Sequence, residues 1–415
     1  MHRRSTAASR RSAFALQNGL GLAARVPPAW DGELYERGAR SAIASGLGYS
    51  CFMFGPGADP RVPTAYYPVG YPAYLGALYA LLGIAPWVIS LGGALAGAAN
   101  VAMTHRLALR VASPTAAFVA ALALAVMPGQ VIFSAAPMTE ALWGALLTAA
   151  IYASTRARWQ WSALALAAAT FVRPQALALA VALPLASSSP WRARLTRAAL
   201  TTVSVLALLS PWTIRNCRAI DGCALVSANG GSNLAVGAMA RSDGTYVLLT
   251  PDDGCRGVVG EIARERCWRR VARARITEHP YAWARRAWPK LRHTFAYEEA
   301  PVEYLSVAKP SLLGPNARSI AKRALTFSWE LALGLAIVAL LPLYARRRLG
   351  DAARYAIATT VTVAATHAVF FGGDRYHMPL AGPVLVVAAC ALRDAPRWLR
   401  GRAPRRMAEL STPEG

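Results

Sequence analysis

The sequence predicts an all-α integral membrane protein, a polytopic bundle of about 9–11 transmembrane helices with an external first loop and one long external loop of mixed structure. Three observations carry that expectation. Of 415 residues, 55% are hydrophobic and 16% charged, against about 25% charged in soluble domains. Apolar runs long enough to cross a bilayer recur along the chain. The basic residues come in short bursts between these runs, so the net charge of +24 reads as membrane topology and not as a nucleic-acid surface.

The runs fall near residues 86–104, 115–133, 138–154, 160–187, 196–212, 325–344, 355–371 and 378–393. The run 160–187 is interrupted by Arg173 and Pro174 and reads as two short helices turning at that pair. Arg-rich short connections favour the cytoplasmic side, and they occur at 104–110, 155–158, 191–197, 345–354 and 393–406. Alternation then puts residues 26–80, 134–140, the Arg173 turn, 372–377 and the long polar stretch after Arg215 on the outer face. The organisation expected is an N-terminal transmembrane region (1–214), a long periplasmic loop (215–324), C-terminal transmembrane helices (325–398) and a cytoplasmic tail (399–415), all in a bacterial inner membrane. The stretch Ser12 to Ala24 is short for a span of about 20 residues. It reads as a degenerate first span, a truncated start or a signal peptide.

Four cysteines, Cys217, Cys223, Cys255 and Cys267, fall in the long external loop. They permit three pairings; the local pairs 217–223 and 255–267 are preferred because short loops close easily. A zinc site is the competing reading, although no C-x-x-C pair is present. Cys51 stays unpaired on this reading, and Cys390 is an ordinary apolar residue of the last span.

Chemistry is expected on the outer face. Asp31 and Glu33 stand close to the membrane surface, where a carboxylate can take a proton from an acceptor hydroxyl or amine; capping the helix that follows is the competing reading of Asp31. Tyr66, Tyr67, Pro68, Gly70, Tyr71 and Pro72 suit a helix entering the interface. Arg375, Tyr376 and His377 sit at the outer mouth of the last two spans, where a cation could meet a lipid phosphate or simply anchor in headgroups. An arginine within an apolar run costs at least about 2.5 kcal/mol on insertion scales, so Arg173 needs a phosphate or a carboxylate partner, Glu140 being the structural alternative. Glu140 itself could cap a helix. Arg215 and Asn216 follow a span at headgroup depth. The stretch SANGGSNLAVG, with Asn229 and Asn233, permits left-handed turns and backbone donors beside a ligand but lacks the spacing of a nucleotide fingerprint. His279, Pro280, Tyr281 and Lys290 lie in a basic segment that reads as lying flat on anionic headgroups.

Several of these segments occur in a familiar order. The D-x-x-x-Y and G-x-G-Y patterns, TAYYPVGYPAYLGALYALLG, PMTEALWGALL, FVRPQAL, SPWTIRNCRAIDGCALVSANGGSNLAVG and GGDRYHMPLAG resemble the C-type membrane glycosyltransferases. The resemblance is to the bacterial protein-mannosyltransferase-like and aminoarabinose-transferase-like group, glycosyltransferase family 39, and covers nearly the whole chain. It implies a sugar taken from a polyprenyl-phosphate donor and given, by inverting displacement, to a glycolipid, polysaccharide or protein acceptor. Within that family the acid of the first loop is the base, and Asp31 occupies the matching position; many relatives show two adjacent acids, whereas Gly32 here separates Asp31 from Glu33. The resemblance makes Arg375, Tyr376, His377 and Arg173 the candidates for the donor phosphate. Glu140, Tyr67, Arg215, Asn229 and Asn233 are the candidates for other substrate contacts. No cofactor or metal is called for, although divalent metal is possible in this class. The alternative from another class is a transporter or flippase of lipid-linked glycans, which would want ionisable groups near the bilayer midplane.

Overall fold

The computed structural model describes residues 26–44, 49–50, 62–345 and 349–399. The stretch 12–24 and Cys51 lie outside the described residues. Among the described residues there is no strand, only a bridge between Ser50 and Pro63.

The apolar runs become helices in the expected order. Three are individually long and apolar enough to cross a membrane: α3 (Pro86–Ala108), α9 (Trp191–Ala219) and α15 (Pro315–Ala345). A further apolar pair, α4 (Pro114–Val126) and α5 (Pro128–Ser134), is bent by 53°, the shape of a broken span or of a re-entrant loop. Pro128 lacks a backbone N–H and drives the preceding Met127 out of the helical region, to φ −60°, ψ 117°. The other runs form α6 (Glu140–Thr155), α7 (Trp159–Val172), α8 (Leu179–Ala186), α16 (Asp351–Val369) and α17 (Ala381–Leu399). Between α7 and α8 the chain breaks at Arg173 and passes through a short 3-10 turn, Pro174–Ala178. α9 and α15 both run past the expected edges at 214 and 325.

Packing explains why short helices suffice. α3 lies against α6, α6 against α7, and α15 along α17. Their shared core mixes alanines such as Ala117, Ala121 and Ala150 with Trp143, Leu147, Trp329 and Tyr355, small residues that let backbones approach closely in an apolar solvent. Leu200 and Val203 on α9 and Phe327 and Val338 on α15 are exposed, as suits faces turned to lipid.

The first segment holds α1 (Asp31–Ala44) and α2 (Gly70–Leu82), whose Tyr35, Tyr71, Leu75 and Tyr79 join the same core, and the long segment holds α10 (Gly230–Ala238), α11 (Glu261–Glu278), α12 (Pro280–Arg285), α13 (Ala287–Phe295) and α14 (Ala300–Ala308). The disulfides are Cys217–Cys223 and Cys255–Cys267, the pairings expected from loop length and suited to an oxidising compartment. Asp221, inside the first bridge, accepts from the backbone N–H groups of Glu261, Ile262 and Ala263 at 2.9–3.0 Å and so caps α11. Glu261 in turn holds Thr64 Oγ1 at 2.8 Å and Ala65 N at 2.7 Å. The long segment therefore clamps the stretch that links α1 to α2.

Candidate active site

The first segment, the break after α7 and the loop before α17 meet around Asp31, Arg375 and Tyr376. Asp31 is the first residue of α1, and its carboxylate faces Arg375 and Tyr67 instead of the first-turn N–H groups. Arg375 Nη2 donates to Oδ2 at 2.5 Å and the Tyr67 hydroxyl to Oδ1 at 3.1 Å. Burial works to raise the Asp31 pKa, but the charge and hydrogen bond of Arg375, the Tyr67 hydroxyl and the charge of Arg173 together hold it below the ordinary carboxylate range. Tyr67 shifts the other way: burial and the Asp31 charge keep its hydroxyl protonated, so it serves as a donor. The Asp31 and Arg375 side chains retain 23% and 21% exposure, enough for a substrate to reach them.

The turn that presents Asp31 is constrained. Trp30 adopts φ 50°, a left-handed torsion that is uncommon for a bulky residue. Tyr304 holds it there: its hydroxyl accepts from Ala29 N at 2.9 Å and its ring meets Trp30 edge-on at 5.5 Å.

Arg173 enters from the α7 break, extended (φ −144°, ψ 114°) as a residue before proline must be. Its Nη2 donates to Glu140 Oε1 at 2.5 Å, and Nε and Nη2 donate to Thr139 Oγ1 at 2.9 and 2.7 Å. Its Nη1 is buried without a partner. The guanidinium also lies 5.4 Å from the Trp143 ring and 5.5 Å from the Tyr376 ring, while Arg375 lies 5.2 Å from Tyr376. Gly70 allows this meeting, because a Cβ there would stand 2.5 Å from the Phe171 carbonyl carbon. Tyr376 stacks on His367 at 4.2 Å. His367 Nδ1 donates to Phe371 O at 2.9 Å, and Nε2 faces the Gln175 amide at 3.5 Å.

Other candidates stand elsewhere. Glu33 is exposed and pairs with Arg37 one turn on, outside the Asp31 network. His377 is fully buried: Nδ1 donates to Thr294 O at 2.6 Å, Nε2 bonds Glu298 Oε2 at 2.9 Å, and the ring stacks on Trp329. Both its nitrogens are used in packing the loop, so it has no atom for a phosphate. Arg215 donates to Thr64 O at 2.8 Å and Tyr49 O at 2.6 Å, and so holds these two parts of the first loop together. Asn229 accepts from Ser227 at 2.9 Å, and Asn233 lies half-buried within α10. The glycines of this stretch are helical, not left-handed. Gly231 is required by close approach, since a Cβ would stand 2.3 Å from Glu265 O, and its N–H is taken by the Glu265 carboxylate. Lys290 is not on the surface either: it is 0% exposed, and its Nζ donates to Val369 O at 3.0 Å.

The loop 372–377 is tied at successive residues. Gly372 N donates to Gly244 O at 2.8 Å, Gly373 N to Thr294 Oγ1 at 3.4 Å, and Asp374 accepts from Glu299 N and Ala300 N at 2.5 and 2.6 Å, capping α14. Thr139, Gln175, His367, Glu298 and Tyr304 thus join the site's frame without having been singled out as site residues. Gln175 carried the clearest signal, directly after Arg173 and Pro174. Among the described residues no three His, Cys, Asp or Glu side chains group to hold a metal ion. Asp31 and Glu140 each face a guanidinium.

No protein-family model matches the chain, and no curated protein sequence does. By structure it is similar to ArnT from Cupriavidus metallidurans in the apo state (17% identity, 92% of this chain and 77% of that one, TM-score 0.38). It is also similar to the same ArnT bound to undecaprenyl phosphate (16%, 97% and 80%, TM-score 0.43). A third similarity is to the archaeal oligosaccharyltransferase AglB from Archaeoglobus fulgidus in complex with an inhibitory peptide and a dolichol-phosphate (12%, 98% and 52%, TM-score 0.48). At these identities the likenesses concern the fold alone.

Proposed function

We propose that this chain is an inverting membrane glycosyltransferase that moves a sugar from a polyprenyl-phosphate donor to an acceptor at the periplasmic face, with Asp31 as general base. The observation that carries it is the pairing of a solvent-reachable carboxylate with Arg375, beside a second guanidinium, Arg173, that has a buried N–H to spare. A transfer from a lipid phosphate needs both halves. The acceptor O–H or N–H gives its proton to Asp31, and the acceptor atom bonds to the anomeric carbon. The bond from that carbon to the phosphate oxygen breaks, and the lipid phosphate departs with the electron pair. Arg375 and Arg173 stabilise the charge that builds on it. Tyr376 spaces the two guanidiniums, and Tyr67 aims the carboxylate. Glu140 is 1% exposed and engaged by Arg173, which supports one displacement by one working carboxylate and argues against a second acid taking part.

The test is reconstitution in liposomes with a radiolabelled polyprenyl-phosphate sugar and a cell-envelope extract as acceptor source. Label should appear in a new covalent product, whose class identifies the acceptor. Label that crosses the bilayer but stays on the lipid would replace this reading with that of a flippase.

A further inference from the structure

The segment 280–295 has two faces with different work. α12 and α13 are joined by Arg286, whose torsions stay helical (φ −70°, ψ −9°). At about 100° per residue, Tyr281, Arg285, Trp288 and Arg292 share one side, and Arg286, Lys290 and Thr294 lie opposite. The burial follows that division. Tyr281 is 80% and Trp288 74% exposed, and Arg285 and Arg292 are exposed with them, whereas Lys290 and Thr294 are fully buried.

The inner side fixes the depth of the helix. Lys290 Nζ meets Val369 O, the last residue of α16, and Trp329 of α15 donates its indole N–H to Phe295 O at 2.8 Å. The segment is therefore seated on the C-terminal end of α16 and beside the middle of α15, and the end of a spanning helix is where hydrocarbon gives way to headgroups. An outer side that alternates Tyr, Arg, Trp and Arg at that level has the chemistry of the interface: aromatic rings that bridge water and hydrocarbon, and guanidiniums that pair with phosphate. From Arg266 to Tyr297 the only acid is Glu278, against nine arginines and lysines.

We infer that this face is a docking surface for anionic phospholipid headgroups of the outer leaflet. The same inner side carries the loop that aims Arg375, because Thr294 bonds both Gly373 and His377. Lipid charge at the outer side is thus applied to the element that supports the site.

The test uses the full chain in nanodiscs of phosphatidylcholine alone or mixed with phosphatidylglycerol. The fluorescence difference between wild type and Trp288→Phe isolates Trp288. Quenching of that difference by lipids brominated near the glycerol end, with a blue shift on adding phosphatidylglycerol, is the expected result. The Arg285→Gln/Arg292→Gln double variant should lose the shift. A Trp288 signal quenched by aqueous acrylamide and untouched by brominated lipid would overturn the proposal and turn the face toward a water-borne partner. Equal quenching in both lipid mixtures, with no effect of the double variant, would overturn the recognition of charge. All the side chains changed are exposed, and thermal melts of each variant verify folding.

Discussion

Asparagine at position 31 keeps the shape of the side chain that meets Arg375 and removes its charge. In the wild type that charge lies 2.5 Å from Arg375 Nη2, so Asp31 and an incoming lipid phosphate compete for one guanidinium. Two unit charges 4 Å apart attract by about 4 kcal/mol at an effective dielectric of about 20. Desolvation cancels most of this, and exposed pairs measure about 0–1 kcal/mol. A pair that is four-fifths buried and hydrogen-bonded is expected to contribute about 1–2 kcal/mol. Asp31→Asn should therefore bind polyprenyl phosphate about 5–30-fold more tightly, while sugar transfer falls about 10²–10⁴-fold through loss of the base. The assay is equilibrium binding of radiolabelled polyprenyl phosphate to purified protein, with a thermal melt of each variant and transfer measured in parallel. In the wild type the same competition strengthens the base: once phosphate takes Arg375, Asp31 loses the partner that holds its pKa down and faces an anion instead. Unchanged or weaker lipid-phosphate binding by folded Asp31→Asn would refute the idea that the two share Arg375, whatever the transfer rate.

Arg375→Gln removes the charge that most strongly opposes burial at Asp31, so the acid limb of transfer activity should move to higher pH, which a pH–rate profile of residual activity reads directly; an unmoved limb would detach Asp31 from the titration. Arg173→Met strands Glu140 at 1% exposure and should cost about 3–5 kcal/mol, seen as a lowered melting temperature that Glu140→Gln on the same chain largely restores. Glu33→Gln should leave transfer unchanged, because its exposed pair with Arg37 is worth at most about 0.5 kcal/mol; a large loss of turnover would show that Glu33 works in the site.

The spans were legible because the bilayer imposes a length and an apolarity on any segment that crosses it. The break at Arg173 was legible because Arg173 and Pro174 put a costly charge and a missing backbone N–H at one point of an apolar run that is longer than one span. Its carboxylate partner could be guessed, since Glu140 had to lie at the same depth. Other features depend on contacts between distant positions that leave no periodic trace. His377 is bound by Glu298, 79 residues away, and an Arg-Tyr-His string gives no hint that its last member turns inward. Arg215 reaches the first segment through the backbone carbonyls of Thr64 and Tyr49, which have no side-chain signature. Lys290 reads in the sequence as one more surface charge, because its partner is the backbone carbonyl of Val369, 79 residues away. The glycines of SANGGSN read as turn formers, because a conformational need and a steric need leave the same letter in the sequence.

The loop between the last two spans is held less by those spans than by residues of the distant segment 244–300, through Gly244, Thr294, Glu298, Glu299 and Ala300. That segment acts as a jig for Arg375. Threading α16 and α17 into the bilayer therefore does not by itself complete the acid–arginine pair, which also needs the contacts made by segment 244–300. Inserted protein and competent protein are then distinct populations, and a lesion in the outer segment can leave the first intact while emptying the second.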